Sequence, residues 1–198
     1  MNTPAHVVFS LSLLGHARAA RYALAIAAGA VAPDLLIILF YGWEKLRDVP
    51  EQVIWEQHYY LPFWQGVFDT ANSIPLILVL GGLAYFFRRF ALTAFFASML
   101  IHCLLDLPVH HDDGHRHFYP FSDFRFASPV SYWDAAHHGR VVSILEALLF
   151  TAGSVYLWRA ESKIRDHGHG LSALQSVIAI TAVVYIGYLV YALVTWVL

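Results

Sequence analysis

The sequence is poor in charge. Lysine, arginine, aspartate and glutamate make up 13% of its 198 residues, about half the share of a soluble domain. A chain this bare of charge does not have the composition of a water-soluble globule. Cys103 is its one cysteine, so no internal disulfide can form. Twelve basic residues stand against fourteen acids, for a net charge of −2. No basic tract marks a nucleic-acid partner. There is no Walker sequence, no Rossmann glycine fingerprint and no Gly-x-Ser-x-Gly elbow. Internal repeats and low-complexity tracts are absent. The first basic residues, Arg18 and Arg21, follow the first apolar stretch, whereas a signal peptide places them before it.

What the chain has is apolar residues, 59% of the total, and they are segregated. Residues 171–198 carry no charge at all, a length that spans a bilayer. Runs 74–87 and 90–105 are also uncharged, 141–158 holds only Glu146, and 22–41 holds only Asp34. The reading is all-α: a polytopic membrane bundle of about five spanning helices, plus a short, half-inserted N-terminal helix ending near Leu14. Residues 1–198 form one integral membrane domain. Several spans are short for a core of about 30 Å, so flanking Arg and Trp must snorkel or the bilayer must thin. Thr3-Pro4 reads as an N-cap followed by proline at the first helical position. Pro33 should kink its helix. Ser172 and Gln175 resemble a capping box opening the last helix. Segments 42–72 and 107–140 read as polar, aromatic-rich loops.

If the five runs all cross, one face collects Arg18, Arg21, Arg88, Arg89, Arg159, Lys163 and Arg165 in short loops, and the positive-inside rule makes it cytoplasmic. The opposite, extracytoplasmic face receives His6, His58, His102, His110, His111, His115, His117, His137 and His138. Only His16, His167 and His169 fall inside. This sorting of histidine to one side points to a single site.

The densest chemistry lies in 102–117, which holds five of the twelve histidines and three of the fourteen acids. His102 and Asp106 are spaced i, i+4, so on a helix they point the same way and can share a metal ion. The bland alternative is a helix-end ion pair. Asp34 follows Pro33 inside an apolar run, where a carboxylate is costly unless paired, solvated or bound to a cation. His6, His58, His110 and His111 complete the candidate metal ligands, each with an ordinary interfacial or loop histidine as the alternative. Asp69 and Glu146 are further candidates. Asp112, Asp113 and His115 are candidates for general acid–base work or for orienting the ligands. Arg116, Arg125 and Arg140 suit an anionic group, or simply lipid headgroups. Trp133 belongs with the aromatics around 118–133, which read as an interfacial belt or as the wall of a pocket for a lipid chain. Cys103 faces about 100° away from His102 on a helix and is set aside.

These residues resemble a known family. Pro4-Ala-His6, Pro33-Asp34, His102-x-x-x-Asp106 and Pro120-Phe121-Ser122, in that order, are similar to the motifs of the bacterial inner-membrane metal-dependent hydrolases of the YdjM/YbcI-like group. The likeness covers roughly 3–160. Many members have a second acid soon after Pro-Asp, where this chain has Leu35, Leu36 and Ile37. A looser similarity is to the zinc-dependent phospholipase C fold, whose ligand order His6, Asp34, His58, His102, Asp106 and His110 or His111 follow. Its closing His-x-x-x-Glu is not reproduced, since Val141 and Val142 stand four residues beyond His137 and His138.

The resemblance implies a divalent metal, zinc above others, as one or two ions. It implies a hydrolase in the bacterial inner membrane, its site facing outward, acting on a membrane lipid or lipid-linked phosphoester or ester. The rival readings are a membrane protein that binds or senses metal without catalysis, and an interaction scaffold with a cytoplasmic protein partner. A homo-oligomer is compatible with each.

Overall fold

The computed structural model describes residues 1–164 and 170–196. Arg165, His167 and His169, assigned above to the cytoplasmic face, lie outside the described residues. Helix α1 covers Thr3–Leu14 and α2 His16–Leu46. Helix α3 is a single turn, Glu51–Val53, running into a π-helical turn at Ile54–His58. Then come α4 (Pro62–Ala71), α5 (Ile74–Phe86) and α6 (Phe90–Asp106). A 3-10 turn at Leu107–Val109 prolongs α6. A long, mostly irregular segment follows, with a 3-10 turn at Ala135–His137, and the chain closes with α7 (Gly139–Ile164) and α8 (Ala173–Trp196). Five helical stretches are long and apolar enough to cross a membrane: α2, α4 with α5, α6 with its turn, α7 and α8.

The burial pattern is that of a membrane bundle. Large apolar side chains such as Leu24, Leu39, Val79, Leu148 and Val183 point outward, while Ser10, Ser98, Asn72 and Thr181 are buried. In lipid, apolar side chains need no interior to hide in, and helices meet through small and polar residues. Helix α1 is apolar around most of its circumference, and it is covered on nearly all sides. It packs against α2, α6, α7 and α8. It is too short to cross alone, and the other helices enclose it. Gly153 of α7 makes room for it, since a Cβ there would come within 2.9 Å of Val8 Cγ1.

The closest contact is between α2 and α6. A Cβ on Gly29 would sit 2.1 Å from the Phe95 carbonyl oxygen, so the two backbones nearly touch. Beyond Phe95, α6 binds α2 through two side chains. Ser98 Oγ donates to the Ile26 carbonyl at 2.7 Å, and His102 Nδ1 donates to the Ala30 carbonyl at 2.7 Å. Ser98 and His102 are spaced i, i+4, as are Ile26 and Ala30. The two helices are therefore keyed in one register.

Four local expectations need revising or are met. The α1 N-cap is Asn2, not Thr3, and Pro4 lies within the first helical turn. Thr3 Oγ1 is instead 2.6 Å from Asp34 Oδ2. The helical dihedrals of α2 break at Tyr22, and they run on through the buried Pro33. Segment 42–72 is largely helical, because α2 extends to Leu46 and α4 occupies its end. The capping box is present: Ser172 Oγ accepts from Gln175 N, and Gln175 Oε1 accepts from Ser172 N, both at 3.1 Å.

Candidate metal centre

Each helix around the centre contributes for a local reason. His6 lies one turn into α1 and is enclosed with it. His102 and Asp106, four residues apart, share one face of α6. Asp34 reaches the centre from α2 because the Ser98 and His102 bonds fix the register between the helices. His6 and His102 are 0% exposed and Asp106 4%.

The imidazoles of His6 and His102 stack, with centroids 3.7 Å apart and planes 15° from parallel. His6 Nε2 is 3.0 Å from Asp106 Oδ1, and His102 Nε2 is 3.0 Å from Asp106 Oδ2. Asp34 Oδ1 lies 3.5 Å from His102 Nε2. The Met1 amino group also reaches Asp106 Oδ1, at 2.7 Å. Despite their closeness to oxygen, both nitrogens of His6 and Nε2 of His102 make no well-directed hydrogen bond. Buried polar atoms are rarely left so. The ligand atoms of His6, His102 and Asp106 all lie within 4.8 Å of one another. Donors about 2.0–2.1 Å from a tetrahedral ion stand about 3.4 Å apart, so the spacing suits an ion between them. Two imidazoles and a carboxylate suit zinc or a similar transition metal better than magnesium or calcium.

The Ala30 carbonyl adds a further argument. It can only accept, so His102 Nδ1 carries a proton and Nε2 is the nitrogen turned toward Asp106 and Asp34. A metal-bound histidine almost always has its other ring nitrogen fixed in this way.

Comparison of the chain with protein-family models, with curated proteins and with solved structures finds no match. The case for the centre rests on its geometry.

Around it the remaining candidates divide. His110 Nε2 lies 3.3 Å from Asp106 Oδ1, and its Nδ1 lies 3.0 Å from Asp113 Oδ1. Trp133 Nε1 donates to Asp113 Oδ2 at 3.0 Å. Burial opposes ionisation of Asp113, but the His110 imidazole and the Trp133 indole outweigh it and hold its carboxyl below the usual range. Burial likewise opposes a proton on His110, but the Asp106 and Asp113 carboxylates outweigh it and raise its pKa. A cleft of about 270 Å³ opens beside Asp113, lined by Tyr59, Tyr60, Gln65, Asp112 and Arg125. A second cleft, of about 360 Å³, is lined by Ser154, Val155, Trp158, Arg159 and Ile178. It is the larger of these two, yet no metal-ligating group lines it, whereas the cleft beside Asp113 adjoins the His110–Asp106 pair.

Other residues stand apart from the triad. His58 Nδ1 pairs with the buried Glu44 at 2.9 Å, near the far end of α2. Asp69 is fully buried and gathers a network of its own. It accepts from Arg116 N at 2.9 Å and Arg116 Nε at 2.6 Å, and it lies near Arg125 and His115. Arg125 also donates to the Gly114 carbonyl and Gln65. Arg116 and Arg125 thus both fasten the 107–134 segment to α4. Arg140 is exposed on the first turn of α7 and Asp112 is exposed beside the cleft. His111 stacks on His137 instead of joining His102. Glu146 accepts from Asn2 N, Asn2 Nδ2 and the Tyr185 hydroxyl, and so anchors the start of α1.

Sequence reasoning did not single out Glu44, Asp134 or the Ala30 carbonyl. Asp134 had a readable signal, since Asp134-x-x-His137 is an N-cap with a histidine one turn on. A backbone carbonyl has none.

Proposed function

We propose that this protein is a membrane-embedded, metal-dependent hydrolase acting on a lipid-linked phosphoester. The observation that carries the reading is the buried His6–His102–Asp106 group with its unpartnered imidazole nitrogens. Those three residues would hold the metal, zinc by preference, with Asp34 and His110 adjoining. A metal so held lowers the pKa of bound water toward 7 and polarises the scissile group. The chain's own residues do the rest. Asp106 faces both imidazoles and His110. His110 bridges Asp106 and Asp113, a path by which a proton can leave toward the cleft. Asp113 is held ionised, so it orients His110 more effectively than it collects a proton.

The lipid-linked substrate follows from position. The cleft beside Asp113 neighbours a segment whose Phe118, Phe121 and Phe124 are exposed, the residue type that sits at a membrane interface. By the positive-inside rule, the end carrying Arg18, Arg21, Arg88 and Arg89 is cytoplasmic, and the metal centre faces the other side of the bacterial inner membrane.

The test is hydrolysis of phospholipids in mixed micelles by the purified protein. Release of a water-soluble phosphoester that stops with chelator, returns with zinc and is absent from His102→Ala supports the reading. A metal-loaded, folded protein that releases no product from phosphoester or ester lipids would favour a metal-binding protein without catalysis.

A further inference from the structure

We propose that the cleft beside Asp113 binds the ammonium end of a zwitterionic phospholipid headgroup. That this headgroup belongs to the substrate rests on the hydrolase reading; the chemistry of the cleft does not.

The cleft has a volume of about 270 Å³ and is lined by Tyr59, Tyr60, Gln65, Asp112, Asp113 and Arg125. Pockets for small molecules run from about 300 to 1,000 Å³, so this one suits a headgroup rather than a whole lipid. Two of its walls are rings. Tyr59 and Tyr60 meet at 89° with centroids 5.1 Å apart, and so form a corner. Tyr59 is 9% exposed, and its ring is held by stacking on Phe68 at 5.4 Å and by contact with Trp55. Yet among the described residues its hydroxyl has no hydrogen-bond partner. Polar groups so enclosed are rarely left in that state. Tyr60 is exposed and offers its ring to whatever enters.

The lining holds two carboxylates and one guanidinium, and the guanidinium is already engaged. Arg125 donates to the Gly114 carbonyl at 2.6 Å, to Gln65 Oε1 at 2.9 Å and to the buried Asp69 at 3.3 Å. Asp112 is exposed and, among the described residues, has no hydrogen-bond or ion-pair partner. The Tyr60 hydroxyl registers the balance. Burial raises its pKa, Asp112 and Asp113 raise it further, and Arg125 offsets them only in part. A phosphate placed here would meet that negative field. An ammonium is drawn by it, and by the faces of tyrosine rings. A hard divalent cation takes oxygen ligands only, which leaves the two rings without a role.

Position points the same way. His110 bridges Asp113 of the cleft and Asp106 of the buried centre. A headgroup held by its ammonium therefore keeps its phosphoester close to that centre. The exposed Phe118, Phe121 and Phe124 of the neighbouring segment suit the interfacial depth at which headgroups lie.

The test is lipid retention by the chelator-stripped, detergent-purified full chain in mixed micelles of equal phosphatidylethanolamine and phosphatidylglycerol, read by native mass spectrometry. The wild type should keep the ethanolamine lipid in several-fold excess. Tyr60→Leu and Asp112→Asn, both at exposed positions, should fold as the wild type does. Each should cut that excess by about 3-fold, the worth of one cation–π or ionic contact at an exposed site. Ethanolamine hydrochloride should displace the lipid where sodium chloride at the same ionic strength does not. No excess in the wild type, an excess untouched by both variants, or equal displacement by the two salts would overturn the proposal. Retention as expected, with no lipid hydrolysed once zinc is restored, would uphold the cleft while removing the support for the hydrolase reading. Zinc-dependent hydrolysis with no headgroup preference in binding or turnover would do the reverse.

Discussion

His102 of α6 donates through Nδ1 to the Ala30 carbonyl of α2 at 2.7 Å, and the same ring's Nε2 lies 3.5 Å from Asp34, one turn further along α2. One imidazole thus locks two helices together and faces the centre they enclose. Because the lock is a backbone bond, it depends on how closely the helices approach.

Gly29 sets that approach. Gly29→Leu should push α2 from α6, at a cost of about 1–3 kcal/mol or more for overpacking. It should also loosen the centre, lowering zinc affinity by about 10-fold or more. Gly42→Leu, on the same helix with nothing within 4 Å of its Cβ, should do neither. Thermal unfolding and zinc competition in detergent compare the two. Equal behaviour would mean that the close approach is not needed.

Glu146 works on the centre from a distance. It accepts two bonds from Asn2 and one from Tyr185, four residues before His6. Glu146→Ala leaves those donors buried without a partner, at about 1–3 kcal/mol. It should weaken zinc binding without removing it, since His6, His102 and Asp106 remain. Complete loss of zinc in a folded variant would make Glu146 a ligand instead.

Asp69 holds the segment after α6. Asp69→Asn removes the charge that faces Arg116 and Arg125, and should cost about 2 kcal/mol after allowance for the partly exposed arginines. Limited proteolysis should then cut between 107 and 134 much faster than in the wild type, while the zinc triad persists. An unchanged cleavage pattern would show that the segment is held by other contacts.

His117 predicts a pH dependence. Burial lowers its imidazole pKa, partly offset by the Asn72 carbonyl, against about 6.5 in an unfolded chain. Below about 6.5 the unfolded chain takes up the proton first, so stability falls as pH drops toward the folded value and is restored above 6.5. His117→Gln should remove that part of the slope. Parallel stability–pH curves for the two proteins would contradict it.

Much of this was readable in the chain. The five long stretches are visible because hydropathy is a local property, and the Ser172–Gln175 cap because a capping box is three residues long. His102 and Asp106 share a face by helical spacing alone. Asp34 was drawn toward them by the cost of a carboxylate in an apolar run, and His6 by the face on which the first helix begins. The rest depends on contacts far apart in sequence. Nothing near His58 announces Glu44, and Arg116 and Arg125 reveal Asp69 as their partner only once the 107–134 segment folds back. Helix α4 was hidden because its aromatic and polar residues read as loop. The break in helical dihedrals at Tyr22 had no signal, since no proline or glycine stands beside it.

The central claim is that His6, His102 and Asp106 hold a metal ion. The most direct test is elemental mass spectrometry of the detergent-purified protein beside His102→Ala and Asp106→Ala. Zinc or a similar ion bound at the triad in the wild type, and lost in both variants, is the predicted result. A well-folded protein that holds no metal, even after reconstitution, or variants that keep the full complement, would contradict the account.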